Sequence, residues 1–363
     1  MNEQALMARA LQLAQKGLYS TDPNPRVGAV LAKAGQIIAE GWHHSAGGPH
    51  AEIVALNRAK GQATGASAYV TLEPCAHHGR TPPCCDALIA AGVARVVVAS
   101  EDPNPQVAGR GLQRLQQAGI EVVSGVLQSQ AEALNPGFFK RHRSALPWVR
   151  GKLAMSLDGR TAMASGESQW ITAEAARLDG QRLRARSSAM MTGIGTILAD
   201  NPRLNVRLEG VSRQPLRVVL DPHLSTPVNA NILQPGARVV IATTSQESEA
   251  YLPLQQQGAE ILYLPSGVVD VIDLAGLLHQ LAERECNEIH LEAGATLAGS
   301  MLVGGFMDEL VIYMAPKLLG NSARGLFHLP ELTELAQAIE LELVDIRPLG
   351  HDWRLTLRPK PSR

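Results

Sequence analysis

Hydrophobic positions recur along the chain with two periods, and the switching between them outlines the architecture. Residues 2–17 set Ala5, Leu6, Ala10, Leu11 and Leu13 near one face of a helix ending at Gly17, a residue suited to the position after a helix. Asp22-Pro23-Asn24-Pro25 reads as a turn or loop, because two prolines remove backbone donors and hold the preceding residues extended. Val27–Ala32 and Gln36–Trp42, separated by a turn at Gly35, predict a hairpin, and a helix of about ten residues starts near His50. A strand over Ala68–Leu72, a helix over Cys84–Ala91, a strand over Val93–Ala99, a Pro/Gly loop over Asp102–Gly111, a helix over Leu112–Ala118 and a strand over Ile120–Gly125 follow. Strands alternating with helices predict an α/β/α sandwich with a largely parallel sheet and helices on both faces.

Gln128–Leu146 breaks this rhythm with Asn135-Pro136-Gly137, the basic cluster Lys140-Arg141-His142-Arg143 and then Pro147. We read it as a linker with a solvated basic face and place a domain boundary at about 145, giving domains 1–145 and 146–363. Beyond it the pattern predicts strands at Val149–Leu153, Ala189–Gly193, Leu216–Leu220, Arg238–Thr243, Ala259–Leu264 and Glu288–Glu292, with helices over 173–186 and Leu274–Arg284. The segments Glu340–Val344 and Trp353–Arg358 predict a closing antiparallel hairpin, which disfavours a wholly parallel sheet in this second α/β domain.

Composition narrows the function. A chain of 363 residues suits two domains, each able to bury its own core. A formal net charge of −1 leaves no electrostatic footprint for nucleic acid or an anionic membrane. Of four cysteines, three fall within eleven positions, which points to metal ligation in a reducing compartment rather than to disulfides. The first residues carry an early acid and no apolar core of a secretory signal, and no apolar run reaches the roughly 18 residues that span a bilayer, so we expect a cytoplasmic protein.

The chemistry concentrates between His50 and Cys85. His50-Ala51-Glu52 is followed, after the Ala68–Leu72 strand, by Glu73-Pro74-Cys75 and then Pro82-Pro83-Cys84-Cys85. H-x-E followed by P-C and a further cysteine is the signature of zinc-dependent base deaminases. Three soft ligands leave the fourth tetrahedral position of a zinc ion open to water, and a carboxylate that is not a ligand can move the proton. If His50 and Cys84 each begin a helix, their side chains converge at neighbouring N-termini, where helix dipoles favour thiolate. Neighbouring helical residues point about 100° apart, so only one of Cys84 and Cys85 should ligate. His77 and His78 lie in the same loop and either ligate or face substrate and solvent. In the second half, Glu292 leads into Gly294-Ala295-Thr296-Leu297-Ala298-Gly299-Ser300, a strand entering a glycine-bearing turn and a helix whose first amides can hold phosphate. The spacing is not G-x-G-x-x-G.

The loop from Cys75 through His77-His78-Gly79-Arg80 to Cys84 separates its cysteines by eight residues, where nucleoside deaminases usually have two. That loop, with Asp22-Pro23-Asn24-Pro25-Arg26-Val27-Gly28 and Glu101-Asp102-Pro103-Asn104-Pro105, resembles the riboflavin-biosynthesis deaminases, the pyrimidine-deaminating branch of the cytidine deaminase superfamily. The resemblance implies zinc on His50, Cys75 and Cys84, Glu52 as proton shuttle, and Asn24 as a substrate-ring contact or a turn residue. It also makes Arg80 and His77 candidates for holding a ribose phosphate. Residues 147–363 resemble the reductase domain that accompanies this deaminase, which implies a dihydrofolate-reductase-like fold and NADPH. Position by position, Ala154, Trp170, Thr196, Asp200 and Gly294 to Ser300 match cofactor contacts. Pro222 replaces a residue that is often serine in the family, which leaves only a backbone contact there. Ser168, Arg184, Leu204, Arg207 and Glu292 match substrate contacts, with Arg184 and Arg207 as a phosphate clamp and Asp200 as a candidate proton donor. The implied whole is a bifunctional enzyme acting on small phosphoribosylated pyrimidines as a homo-oligomer, with no nucleic-acid or membrane partner. The rivals are a nucleic-acid or free-base deaminase with an accessory C-terminal domain, which predicts a basic groove, and a zinc-stabilised binding module, which predicts a fourth protein ligand.

Overall fold

A computed structural model describes residues 1–76, 83–105 and 107–360. It divides into two compact units, Met1–Leu146 and Pro147–Arg363. The first contains α1 (Glu3–Gln15), β1 (Gly28–Lys33), β2 (Gln36–Trp42), α2 (Ala51–Ala59), β3 (Ser67–Val70), α3 (Cys84–Ala90), β4 (Arg95–Val98), α4 (Arg110–Gln117), β5 (Glu121–Ser124), α5 (Gln128–Leu134) and α6 (Pro136–Ser144). Its five strands lie in the order β2-β1-β3-β4-β5.

The sheet is mixed rather than largely parallel. The tight turn between β1 and β2 can join only antiparallel strands; β1 then pairs antiparallel with β3 as well, setting Val30 opposite Tyr69, while β3, β4 and β5 run parallel. The α2 crossover carries the chain past β1. Strand alternation separates two cores. Ala29, Leu31, Val70, Val96 and Val98 pack with Ala51, Ala55, Leu88 and Leu115 of the helices on one face. Val30, Tyr69, Val97 and Ala99 pack with Leu6, Met7, Ala10 and Leu13 of α1 on the other. The start of α1 is fixed by Asn2, whose side chain accepts a 2.9 Å hydrogen bond from the Ala5 N–H.

The segment expected to be a linker is instead two helices of the first unit. Phe138 and Phe139 of α6 are buried against Leu72 and Val27. Asn135 clasps Arg26, accepting from its N–H at 2.8 Å and donating to its carbonyl at 3.0 Å. Helices of seven and nine residues are too short to show a periodic stripe, and only the paired phenylalanines mark the buried face.

The second unit contains β6 (Trp148–Ser156), β7 (Arg160–Ala162), α7 (Glu174–Arg186), β8 (Ala189–Gly193), α8 (Ile194–Asp200), β9 (Leu216–Leu220), β10 (Val239–Thr243), α9 (Ser248–Gln256), β11 (Ala259–Tyr263), α10 (Leu274–Glu283), β12 (Glu288–Leu291), α11 (Ala295–Val303), β13 (Glu309–Ala315), β14 (Arg324–Gly325), β15 (Leu341–Leu349) and β16 (Asp352–Pro359). Nine strands form one sheet in the order β11-β10-β9-β8-β12-β6-β13-β16-β15, and β7 pairs with β14 separately. The seven from β11 to β13 are parallel; β16 and β15 add antiparallel at the end. From β8 the chain moves outward to β9, β10 and β11, then returns to β12 between β8 and β6, and next passes to β13 beyond β6. Connections leaving neighbouring β8 and β12 therefore depart in opposite directions, and such a divergence opens a crevice at the carboxyl ends of parallel strands. No helix among the described residues is long and apolar enough to cross a membrane.

Candidate functional site

In the first unit the pieces of the site arrive from three elements. His50 is the N-cap of α2, Cys84 is the first residue of α3, and Cys75 follows β3. The approach of α2 to the hairpin depends on Gly41: a Cβ there would sit 2.3 Å from the Ala51 carbonyl oxygen, one residue past His50. The His50 Nδ1 lies 3.2 Å from Cys84 Sγ and 3.7 Å from Cys75 Sγ, and the three ligand atoms lie within 4.8 Å of one another. Tetrahedral zinc bonds to nitrogen and sulfur separate those two atoms by about 3.6 Å. The donor set and its spacing therefore fit zinc with a fourth position for water. Cys85 points elsewhere, donating to the Pro74 carbonyl at 3.2 Å and lying 3.5 Å from that of Gly111.

Electrostatics agree with a cation at this place. The Cys75 thiol is held well below its usual value by the hydrogen bond from Cys84, against the effect of burial and with the help of His50. Cys84 is pushed up by that same hydrogen bond and by its burial. Two adjacent thiols cannot both ionise unaided, and a divalent ion gives each thiolate a positive partner. Glu52 is buried, only 4% exposed, and burial raises its carboxyl above the usual range while His50 opposes the rise. A carboxyl raised towards neutrality can both take and return a proton.

Asn24 is half-buried, and its Nδ2 lies 3.0 Å from His43 Nε2. His43 Nδ1 in turn lies 3.0 Å from the Pro49 carbonyl, which can only accept. Nδ1 therefore carries the proton, Nε2 accepts from the Asn24 amide, and the Asn24 carbonyl oxygen is left pointing away from His43. Burial keeps His43 neutral by lowering its pKa, and its ring stands edge-on to His50 at 5.6 Å. Nothing in the residue pattern singles out His43, which follows the hairpin strand; its one signal is its place between Trp42 and His44 in a loop leading to His50. His77, His78 and Arg80 lie outside the described residues.

In the second unit, Glu292 stands just past β12 at the crevice. Burial would raise its carboxyl, but Arg184 holds it well below the usual range through two 2.7 Å hydrogen bonds, Nε to Oε1 and Nη2 to Oε2. His290, fully buried, lies 3.2 Å away through Nε2. Arg184 Nη1 donates to the Asn205 carbonyl at 3.1 Å. Of the expected clamp, the Arg184 fork grips a carboxylate of its own chain, and Arg207 is exposed, its backbone N–H bonded to Gln181 at 2.8 Å. Leu204 is buried. Its side chain is 3% exposed and packs in a core cluster with Met190, Ile197 and Val219, so only its backbone can face a ligand.

The expected cofactor residues fall into two groups. Gly294 is the exposed N-cap of α11, Thr296 and Ser300 are exposed, and Ala295 and Leu297 are half-buried. Ala298 and Gly299 are buried on the opposite side, where a Cβ at Gly299 would sit 2.0 Å from the His328 carbonyl oxygen, so packing rather than ligand contact fills those positions. A Cβ at Gly294 or Gly195 would meet nothing within 4 Å, so the helix starts that follow β12 and β8 both border open space at the crevice. Ala154 is half-buried on β6, Thr196 half-buried on α8, and Ser168 half-buried in the loop after β7. Trp170 is 64% exposed, with the Arg177 guanidinium 4.8 Å from its ring centre. Asp200 ends α8 with its carboxylate exposed, 3.4 Å from Gln169 Nε2. The Pro222 carbonyl accepts from the hydroxyls of Thr243 and Thr244 at 2.8 and 3.1 Å.

Residues 1–100 match the cytidine and deoxycytidylate deaminase zinc-binding region, and residues 147–355 match the RibD C-terminal domain. The riboflavin biosynthesis protein RibD of Escherichia coli K12 is 52% identical over 98% of this chain and 99% of its own, and that of Haemophilus influenzae is 48% identical over 98% and 96%. Among solved structures, Acinetobacter baumannii RibD superposes with a TM-score of 0.91 at 47% identity, covering 98% of both chains. A diaminohydroxyphosphoribosylaminopyrimidine deaminase/5-amino-6-(5-phosphoribosylamino)uracil reductase from Thermotoga maritima gives 0.87 at 34% identity, again over 98% of both. With a cytidine-deaminase-like first unit, a dihydrofolate-reductase-like second, and likeness over nearly its whole length, the chain belongs to the RibD family of riboflavin biosynthesis proteins.

Proposed function

We propose that the chain carries its two RibD activities on separate units, with deamination in 1–145 and reduction in 146–363. The family is bifunctional, a zinc deaminase and an NADPH-dependent reductase. The substrates are small phosphoribosylated pyrimidines: 2,5-diamino-6-(5-phosphoribosylamino)pyrimidin-4-one for the first step and the resulting uracil for the second. The observation that carries the reading is the convergence of His50, Cys75 and Cys84 beside a buried Glu52.

In the deaminase unit His50, Cys75 and Cys84 would hold zinc, whose Lewis acidity makes water nucleophilic near neutral pH. Glu52 takes one proton from the attacking water and delivers it to the ring nitrogen, then takes the second from the hydroxyl now on the ring carbon and delivers it to the amine, which leaves as ammonia as the carbonyl forms. Asn24, held by His43, offers its carbonyl oxygen to an N–H of the pyrimidine. In the reductase unit Ala154, Trp170, Thr196, the Pro222 backbone and the accessible positions between Gly294 and Ser300 at the start of α11 bind NADPH, which supplies the hydride. Ser168, the Leu204 backbone, Arg207 and Glu292 bind the ribosylamino substrate; Arg184 positions Glu292, and Asp200 is our proton donor. These reductase roles are supported by the resemblance and by the crevice.

Stripping zinc with a chelator should abolish ammonia release while NADPH oxidation with the deaminated substrate continues. Concurrent loss of both activities, or ammonia release by metal-free protein, would refute the division of labour.

We also propose a homo-oligomer confined to the cytoplasm, without nucleic-acid or membrane partners. Near-zero net charge and a cysteine pattern that suits metal ligation in a reducing compartment support the latter two statements. The edge strand β15 supports the first, since Leu343, Val344 and Ile346 are about half exposed on a nine-residue strand with one side unpaired among the described residues. Light scattering should give a mass of at least two chains for the wild type, and Ile346→Glu should shift it towards one.

A further inference from the structure

We propose that Glu73 is a positioning residue for the zinc site, fastening the Cys75 segment to the Asp102–Leu112 loop. The proposal rests on zinc being held by Cys75 with His50 and Cys84. Glu73 is 4% exposed, and it sits two residues before Cys75. Its carboxylate accepts four backbone N–H groups from one loop: Oε2 from Asp102 at 3.1 Å and Gly109 at 3.0 Å, Oε1 from Gly111 at 2.8 Å and Leu112 at 3.4 Å. The last two lie in the first turn of α4, where a negative charge is favoured.

Further contacts hold the backbone that leads to Cys75. The Glu73 N–H donates to the Ser100 carbonyl at 2.9 Å. Gly111 passes so close to Pro74 that a Cβ would stand 2.1 Å from the Pro74 carbonyl oxygen. The Cys85 thiol donates to that same oxygen at 3.2 Å, and the Cys85 N–H donates to the Cys75 carbonyl at 3.2 Å. The backbone carrying Cys75 is thus held from one side by α3 and from the other by the loop that Glu73 gathers. This gives the Asp102–Gly111 stretch a task that no ligand or substrate contact supplies: it is the anchorage against which one zinc ligand is aimed. Metal affinity depends on such outer contacts because a misaimed ligand loses bond strength, typically about 10–100-fold when one is removed.

Glu73→Gln keeps the shape and removes the charge. Four donors meet two oxygens in pairs, so either orientation of the amide sets an NH2 against two N–H groups. We expect purified Glu73→Gln to be folded and to release zinc to a competing chelator with an affinity lowered about 10–100-fold, while NADPH oxidation is unchanged. Gly111→Ala, which pushes on Pro74 without touching the carboxylate, should weaken zinc in the same way. Coupling is reciprocal, so removing zinc from the wild type should speed hydrogen exchange at the amides of Asp102, Gly109, Gly111 and Leu112. It should leave the α1 amides as they were. Unchanged exchange at those four amides overturns the proposal whatever the variants do, as does a folded Glu73→Gln with wild-type zinc affinity. A wild type that binds no zinc at all overturns both this proposal and the zinc reading beneath it, and the two failures are told apart by metal content.

Discussion

Glu52→Gln should lower deamination by about 10²–10⁴-fold, the usual contribution of a positioned proton carrier, and leave both bound zinc and NADPH oxidation at wild-type levels. The expectation follows from where the carboxyl sits. It is buried, and burial favours its protonated form, so the charged and neutral states are closer in energy than in water. A base used first and an acid used next needs that balance. Gln has the same shape and can still hydrogen-bond, but it cannot take a proton from water. Because Glu52 is not among the three converging ligands, its amide should not dislodge the metal. Metal content, ammonia release and NADPH oxidation on one preparation give the three readings. Zinc loss in Glu52→Gln would make the residue a ligand, and near-normal ammonia release would move the proton shuttle elsewhere.

How much of this was legible in the chain differs between the two sites for a physical reason. The zinc cluster is legible because its ligands sit at helix starts, where a single residue's place fixes the direction of its side chain; His50 as N-cap and Cys84 as first residue of α3 follow from the pattern. The angle between helical neighbours limits the choice to one of Cys84 and Cys85, and the family resemblance points to Cys84. The reductase site is built from pairs far apart in sequence. Arg184 and Glu292 are separated by 108 residues, and nothing in either neighbourhood announces that one fork will close on the other. Leu204 matched a substrate position, yet its backbone takes a positive φ of 46° and its side chain goes into the core. Strand β13 and helix α9 went unread: only five residues separate β13 from α11, and α9 carries Pro253 in its interior. Antiparallel pairing of β1 with β3 was hidden for a related reason, since alternation of strands and helices says nothing about which edge of a hairpin the next strand will join.

The Arg184–Glu292 pair should show its two roles separately. The side chains are 14% and 16% exposed, so neither charge is well solvated when alone. Arg184→Met should destabilise the second unit by about 3–5 kcal/mol, the cost of leaving one member of a buried pair without its partner, and Glu292→Leu should do the same. In the double variant two apolar chains replace two charges, and most of the lost stability should return. NADPH oxidation should not return. If Glu292 serves the substrate, each variant and their combination lack the carboxylate or its alignment, and all three should stay impaired. Recovery of reduction together with stability would show the pair to be structural only. The same pair gives an acid limit with a definite sign. The Glu292 carboxyl is held below its unfolded value by Arg184 against the opposing effect of burial, with neutral, buried His290 adding a hydrogen bond. A depressed folded pKa means that the stabilisation is complete above the unfolded carboxylate range and is lost as the pH falls towards the folded value. Acid should therefore loosen the wild-type reductase unit as the pH drops below about 4, and the double variant, having no such carboxylate to protonate, should show a shallower loss over the same interval.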